Sequence, residues 1–264
     1  TGRVFRQKIY QIPEMSRGSR GRAIVNLLKL RDNEKIVAFL NVKDFEKGED
    51  YLLFATAKGR VKRTALSDYR NIRTSGINAI NLNEGDDLIG IIQTRGNDHV
   101  LLATANGMSI RFDENDARVM GRTAAGVKGI GLADDDTVVG IVGASDDVDL
   151  LTVTENGYGK RTSMAEYLVR SEDGSTRPQS RGGKGRRDIR TDQRNGRVVS
   201  IRAVHEEDSL MFISSGGMIV RIPANSISRI GRNTKGVRLV NLKDGDQVIS
   251  AARVFESADE TEGD

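Results

Sequence analysis

Cysteine is missing from all 264 residues, so neither disulfides nor thiolate metal sites are available, and a reducing cytoplasm is the natural setting. Tryptophan is missing as well, and aromatic residues amount to only 5%. Proteins that hold single-stranded nucleic acids stack bases on aromatic faces, and this chain has few to offer. The two histidines, His99 and His205, stand far apart and outside metal-ligand spacing. No apolar run comes near the roughly 20 residues that span a bilayer, and no signal peptide is visible. Acidic groups such as Glu84, Asp86 and Asp87, or Asp134, Asp135 and Asp136, recur as turns, and no nucleophile or metal constellation accompanies them. Neither catalysis nor a cofactor or metal is therefore expected of this chain.

Charge is abundant instead. Charged residues make up 30% and hydrophobic residues 37%, the balance of a soluble globular protein long enough to bury a sizeable core. The formal charge is +4, but residues 256–264 hold five acids and no base, so setting them aside leaves +9 on residues 1–255. A basic body with a short acidic, solvated tail suggests a polyanionic partner.

Three landmarks recur along the chain in the same order. The first is an apolar run, a glycine turn and an arginine four residues after the glycine. It reads Leu52-Leu53-Phe54 before Gly59 and Arg63, and Leu101-Leu102 before Gly107 and Arg111. It returns at Leu150-Leu151 before Gly157 and Arg161, and at Leu210 before Gly217 and Arg221, with a partial copy at Gly2 and Arg6. The second is a glycine with an apolar residue six positions on: Gly21/Leu27, Gly76/Leu82, Gly126/Leu132, Gly183/Ile189 and Gly236/Leu242. The third is a polar turn leading into a β-branched pair and a small residue, as in Leu88-Ile89-Gly90, Val138-Val139-Gly140 and Val198-Val199-Ser200. Its other copies are Ile36-Val37-Ala38 and Val248-Ile249-Ser250.

Glycine turns permit positive φ and close β-hairpins, and short Val/Ile/Leu runs bounded by Gly and Asp read as further strands. Each repeat therefore holds about four strands, with single helical turns at most at 65–69 and 164–169. A lone four-stranded sheet cannot bury both faces, so five must pack together, radially in a propeller-like all-β disc. The units run approximately over 1–43, 44–95, 96–144, 145–204 and 205–255. Only Thr1 precedes the first turn glycine, so the chain is expected to open in the middle of a hairpin whose partner strand lies upstream.

Basic residues follow the repeat. The fourth-position arginines are Arg6, Arg63, Arg111, Arg161 and Arg221. Others crowd the second landmark: Arg17, Arg20 and Arg22; Arg70 and Arg73; Arg118, Arg122 and Lys128; Arg181, Lys184, Arg186 and Arg187; Arg229, Arg232, Lys235 and Arg238. Equivalent loops in a radial array lie on one circle, so these bases would form a positive track that reads phosphate on duplex DNA with little sequence specificity. The alternative for the fourth-position arginines is pairing with the turn acids Asp86, Asp136 and Asp246. Bending a duplex through half a turn costs about 10 kcal/mol. Ten charge-assisted contacts at about 1.5–3 kcal/mol each would exceed it.

The stretches RGSRGRAIVNLL at 17–28, NGYGKRT at 156–162 and GRNTKGV at 231–237 resemble the C-terminal domain family of the bacterial DNA gyrase A protein. The resemblance covers residues 1 to about 255. It implies a β-pinwheel, a propeller variant whose blades exchange strands, that wraps duplex DNA on its basic perimeter. It further implies a cytoplasmic, chromosome-associated A2B2 type IIA topoisomerase, whose ATP hydrolysis and DNA cleavage belong to other parts of the gyrase A and gyrase B proteins. The family's hallmark box reads Q-R-R-G-G-K-G. Gln179, Arg181, Gly182, Gly183, Lys184 and Gly185 match it, with Ser180 in place of an arginine. In the family the box lies in the first blade and here in the fourth unit, so the family's first blade is expected upstream of Thr1, or the box has moved. No Ser or Thr follows the Gly-Lys pair as a Walker A loop would require. The matching domain of topoisomerase IV, or a protein-interaction propeller, are the alternative readings.

Overall fold

The computed structural model describes residues 1–254 apart from 17, 20, 33 and 47, so the acidic tail and the candidate bases Arg17 and Arg20 lie outside the described residues. Hairpins form round the turn glycines. Tyr51–Thr56 pairs with Arg60–Ala65, His99–Thr104 with Met108–Asp113, Asp149–Thr154 with Tyr158–Ser163, and Ser209–Ser214 with Ile219–Pro223, all antiparallel. The third landmark supplies an inner strand to each: Leu88–Thr94, Val138–Gly143, Val198–Val204 and Val248–Val254. These inner strands pack side by side in succession. The small residue in the landmark has a reason here. A Cβ on Gly90 would lie 2.9 Å from Ile141 Cγ2, and one on Gly140 would lie 2.7 Å from Ile201 Cγ1, so the neighbouring inner strand needs that space.

Where a hairpin gains an outer strand, that strand comes from the next unit. Val127–Lys128 pairs on Arg60–Ala65, Arg186–Arg187 on Met108–Asp113 and Val237–Arg238 on Tyr158–Ser163, while Ile77–Asn78 pairs on Arg3–Val4. Among the described residues, three sheets thus have four strands, and the sheet closed by Val248–Val254 has three. Backbone hydrogen bonds repeat at each junction. Gly59 O accepts from Gly129 and Ile130 N, Gly107 O from Asp188 and Ile189 N, and Gly157 O from Leu239 and Val240 N. This register corrects the second landmark in unit four. The glycine equivalent to Gly126 and Gly236 is Gly185, with Ile189 four residues on, and not Gly183. A Cβ on Gly185 would lie 2.3 Å from Ser109 O, and one on Gly107 would lie 2.2 Å from Ile189 O, both at positive φ, so the exchanged strand is seated between two glycines.

Successive side chains of a strand point to opposite faces. Each Leu-Leu pair therefore serves two cores. Leu52 packs with Phe54, Tyr69 and Ile80; Leu53 packs with Leu102, Ile110 and Phe112 of the next sheet. Leu101 and Leu150 share the following core, and Leu151 joins Leu210 and Phe212 in the last. Among the described residues, helical content is limited to single 3-10 turns such as Leu66–Tyr69 and Met164–Tyr167, where the sequence suggests them. Unit one differs from the others. Its strand is Arg3–Val4, and Ile36-Val37-Ala38 is not in a strand. Many of the exposed large apolar side chains belong to this unit, among them Ile9, Tyr10, Val25 and Phe39.

Candidate nucleic-acid interface

The exchanged fourth strands form the outermost edge of their sheets, and their register fixes which side chains sit there. Lys128 lies opposite Arg60, Arg187 opposite Met108 and Arg238 opposite Tyr158. All three bases stand two residues after their loop glycine, and all three are exposed. Arg187 carries the same position as Lys128 and Arg238, although sequence alone groups it with Arg186; counting from Gly183 hides the equivalence. Arg186 is instead half-buried and donates to Leu168 O at 2.7 Å. Burial, and then the Arg232 charge, hold its pKa below the usual arginine value.

The loops that carry these strands interlock. Gly182 N donates to Gly129 O and Asn233 N to Asp188 O, each at 2.6 Å. Asn233 takes φ 60, filling the place of Gly182 at φ 83. Arg181 NH1 donates to Lys128 O at 2.9 Å and Arg232 NH1 to Arg187 O at 3.3 Å, the same reach back to the preceding loop. Arg181 Nε also donates to Asp116 O at 2.7 Å, and Gln179 N to Arg111 O at 2.9 Å. In this box-like loop the arginine therefore braces its neighbour, while Lys184 stays exposed. Lys235 is exposed and pairs with Asp192 at 2.5 Å. Arg73 and Arg122 line one open depression between the loops of units two and three.

Three of the fourth-position arginines are not on this edge. Arg63, Arg111 and Arg161 are 4%, 2% and 4% exposed, so the expectation that they contact DNA is corrected. Each reaches from its hairpin to the next unit. Arg63 Nε meets Glu114 Oε2 at 3.0 Å while its NH1 donates to Asn115 Oδ1 at 2.7 Å. Arg111 NH1 donates to Met164 O at 2.8 Å and its NH2 pairs with Asp146 at 2.9 Å, and Arg161 Nε donates to Ile227 O at 3.0 Å. The alternative partners are occupied otherwise. Asp86, Asp136 and Asp246 accept the backbone N–H of Lys58, Asn106 and Gly216, closing the hairpin turns. Arg6 and Arg221 remain exposed, with Arg221 NH2 donating to Ser209 Oγ at 2.9 Å.

Two buried lysines join the same junctions. Lys62 Nζ donates to the carbonyls of Ala79 and Arg122 and lies 5.1 Å from the Phe54 ring centre. Burial lowers its pKa to about 8, against a weaker opposing effect of Asp68. Lys160 Nζ donates to Asp188 O at 2.8 Å and Gly231 O at 3.0 Å, and Tyr167 OH donates to Asp188 Oδ1 at 2.6 Å. His99 Nδ1 faces Arg111 NH2 at 3.0 Å. Among the described residues no helix is long and apolar enough to cross a membrane.

The family model described as "DNA gyrase C-terminal domain, beta-propeller" matches residues 1–43, 50–95, 98–143, 149–171, 177–205 and 208–254. Residues 172–176, between two matched segments, fall within a short hairpin of Val169–Arg170 and Thr176–Arg177. The DNA gyrase A protein of Salmonella typhimurium (strain LT2) is 45% identical over 263 residues, covering 100% of this chain and 29% of that protein. Its counterpart from Klebsiella oxytoca is 44% identical over 263 residues with the same coverage, and that from Staphylococcus epidermidis is 44% identical over 260 residues, covering 98% and 28%. Among solved structures, the C-terminal domain of DNA topoisomerase IV superposes with a TM-score of 0.84 at 26% identity, covering 96% of this chain and 76% of that one. The DNA gyrase A C-terminal domain superposes with a TM-score of 0.81 at 27% identity, covering 96% and 80%. The chain spans under a third of the length of the gyrase A proteins it matches. With two-thirds and more of its residues matched and whole-chain identity above 40%, the chain belongs to the DNA gyrase C-terminal domain family.

Proposed function

We propose that this chain binds duplex DNA without sequence preference and bends it along the outer edge of its sheets, as the DNA-wrapping part of a gyrase A protein. The observation that supports this reading is the repetition of an exposed base at one register position, Lys128, Arg187 and Arg238, on consecutive exchanged strands. Duplex phosphates repeat along a smooth path, and evenly presented cations suit such a lattice of charge. Arg73, Lys184, Lys235 and Arg221 extend the set, and Arg122, Arg181 and Arg232 contribute charge from half-buried positions. In the parent assembly of gyrase A and gyrase B proteins, wrapping would give the crossing its sign, and ATP hydrolysis and strand passage would reside elsewhere. The cytoplasm and the chromosome follow as its setting. The acidic residues 256–264 would compete with DNA for the basic edge, and their deletion should tighten duplex binding.

The test is the salt dependence of affinity for a duplex of about 40 base pairs, with the topology of relaxed circles as a second measurement. A steep inverse dependence on salt is expected, and a nearly flat one sinks the reading. The superposition on the topoisomerase IV domain favours that enzyme as the second reading. Supercoiling of relaxed DNA by the parent enzyme with ATP separates the two.

A further inference from the structure

Unit four departs from the others at the turn that precedes its inner strand. In units two, three and five this turn is acidic, through Glu84, Asp86 and Asp87, through Asp134, Asp135 and Asp136, and through Asp244 and Asp246. In unit four it carries Arg194 and Arg197, and Asn195 stands in for the turn acid, its carbonyl accepting from Asn156 N at 3.2 Å. Arg194 turns onto Tyr158, the residue after the hairpin glycine. Its guanidinium lies 5.0 Å from the ring centre and its Nε donates to the phenol oxygen at 3.3 Å. Arg238, on the exchanged strand opposite, lies 5.1 Å from the same ring and donates to the same oxygen at 2.7 Å. The two guanidinium groups, both on exposed residues, therefore have nitrogens no more than about 6 Å apart.

Two cations held this close repel each other, and an anion between them relieves the repulsion. The neighbouring carboxylate, Asp192, is committed elsewhere: it pairs with Lys235 at 2.5 Å and accepts Arg194 N at 3.0 Å. Tyr158 itself is buried, so its ring fixes both arginines in place. Accepting from both leaves the phenol its own hydrogen to donate. Hydrogen bonding from Arg194 and the charge of both arginines hold its pKa below the usual tyrosine value, which makes it a stronger donor.

We infer that Arg194, Arg238 and the Tyr158 hydroxyl form a preformed site for one backbone phosphate of duplex DNA, with Tyr158 as the positioning residue. The site rests on the DNA-binding reading and sharpens it. It joins the edge bases to the hairpin turn, so that unit four grips the duplex at two levels where the acidic turns of its neighbours repel it. A planar guanidinium suits a phosphate's paired oxygens, and two of them flanking a donor match its tetrahedral face.

The experiment measures affinity for a duplex of about 40 base pairs between low and moderate salt, with the full chain and with Tyr158→Phe, Arg194→Gln, Arg194→Lys and the double variant Tyr158→Phe/Arg194→Gln. Tyr158→Phe and Arg194→Gln should each weaken binding about fivefold, and Arg194→Gln should lower the salt slope by about one. The double variant should be little worse than Arg194→Gln alone, because both remove one contact. Arg194→Lys should keep the slope and still bind less tightly. Lys243→Gln, a basic residue on another turn, serves as the comparison and should behave as the unaltered chain. Arg194 is exposed, so its variants stay informative if Tyr158→Phe unfolds. Wild-type slope and affinity in Arg194→Gln would overturn the site while leaving the DNA-binding reading intact. A flat salt dependence in the unaltered chain would remove that reading and the site together.

Discussion

Arg63 meets Glu114 at 3.0 Å across the boundary between two sheets, and both side chains are almost completely buried. Glu114 also accepts Thr94 Oγ1 at 2.5 Å, Gly96 N at 2.7 Å and Asp98 N at 2.9 Å, so its charge is fully surrounded. The guanidinium lies 3.7 Å from the Tyr51 ring centre. At the position of Glu114, units two, four and five carry Leu66, Met164 and Ala224, all buried. Breaking a buried pair from one side leaves an uncompensated charge and costs about 3–5 kcal/mol, whereas replacing both partners with apolar residues costs far less. Arg63→Met and Glu114→Met should each lower the urea midpoint strongly, and the double variant should recover only the part due to the stranded charge, because Gly96 N and Asp98 N lose their acceptor in either case. Equal damage in all three would mean the pair contributes attraction rather than guarding against a stranded charge.

Gly107 and Gly217 occupy equivalent turns at φ 80 and 82 but have different surroundings. An added Cβ at Gly107 meets Ile189 O at 2.2 Å, and at Gly217 it meets nothing within 4 Å. Gly217→Ala should cost about 1–2 kcal/mol, the strain of a left-handed alanine. Gly107→Ala should cost clearly more and should speed amide exchange at Asp188 and Ile189, whose N–H groups donate to Gly107 O. Hydrogen exchange by mass spectrometry with urea melts checks both.

Lys62 links stability to alkaline pH. Its folded pKa, about 8, lies below its ordinary value of 10.5 because burial disfavours the charged form. Between those values the unfolded chain binds more protons than the folded one, so this group's contribution makes stability rise with pH across the window and level off above it. Below about pH 8 the penalty is present in full, at something like 3 kcal/mol. Lys62→Met removes this slope. The quantity to measure is the difference between the two chains' urea stabilities from pH 7 to 10.5, and a constant difference would refute the assignment.

The edge and the junctions should separate in a binding experiment. Replacing Lys128, Arg187 or Arg238 with Gln should reduce the salt slope of duplex binding by about one each and leave the melting midpoint nearly unchanged. Arg111→Gln should do the reverse, lowering the midpoint while any chain that remains folded keeps its slope, because its guanidinium is spent on Met164 O and Asp146.

Much of this architecture is written locally. A glycine turn needs positive φ whatever surrounds it, and a Leu-Leu pair in a strand must face both ways, so hairpins at Gly59, Gly107 and Gly157 packed on both sides follow from the chain alone. The repeat, the all-β class and the basic loops are legible for the same reason. Tertiary structure decided which basic residues meet solvent. Arg63 and Arg238 look alike as letters, yet one is enclosed by the next unit and the other ends an edge strand, because burial depends on a neighbour that no local pattern describes. The choice between Gly183 and Gly185 likewise rests on contacts distant in sequence, the bonds of Asp188 and Ile189 N–H to Gly107 O and the close approach of Ser109 O to residue 185. Sequence spacing counts residues along the chain, and only the packed sheets show which of them come together.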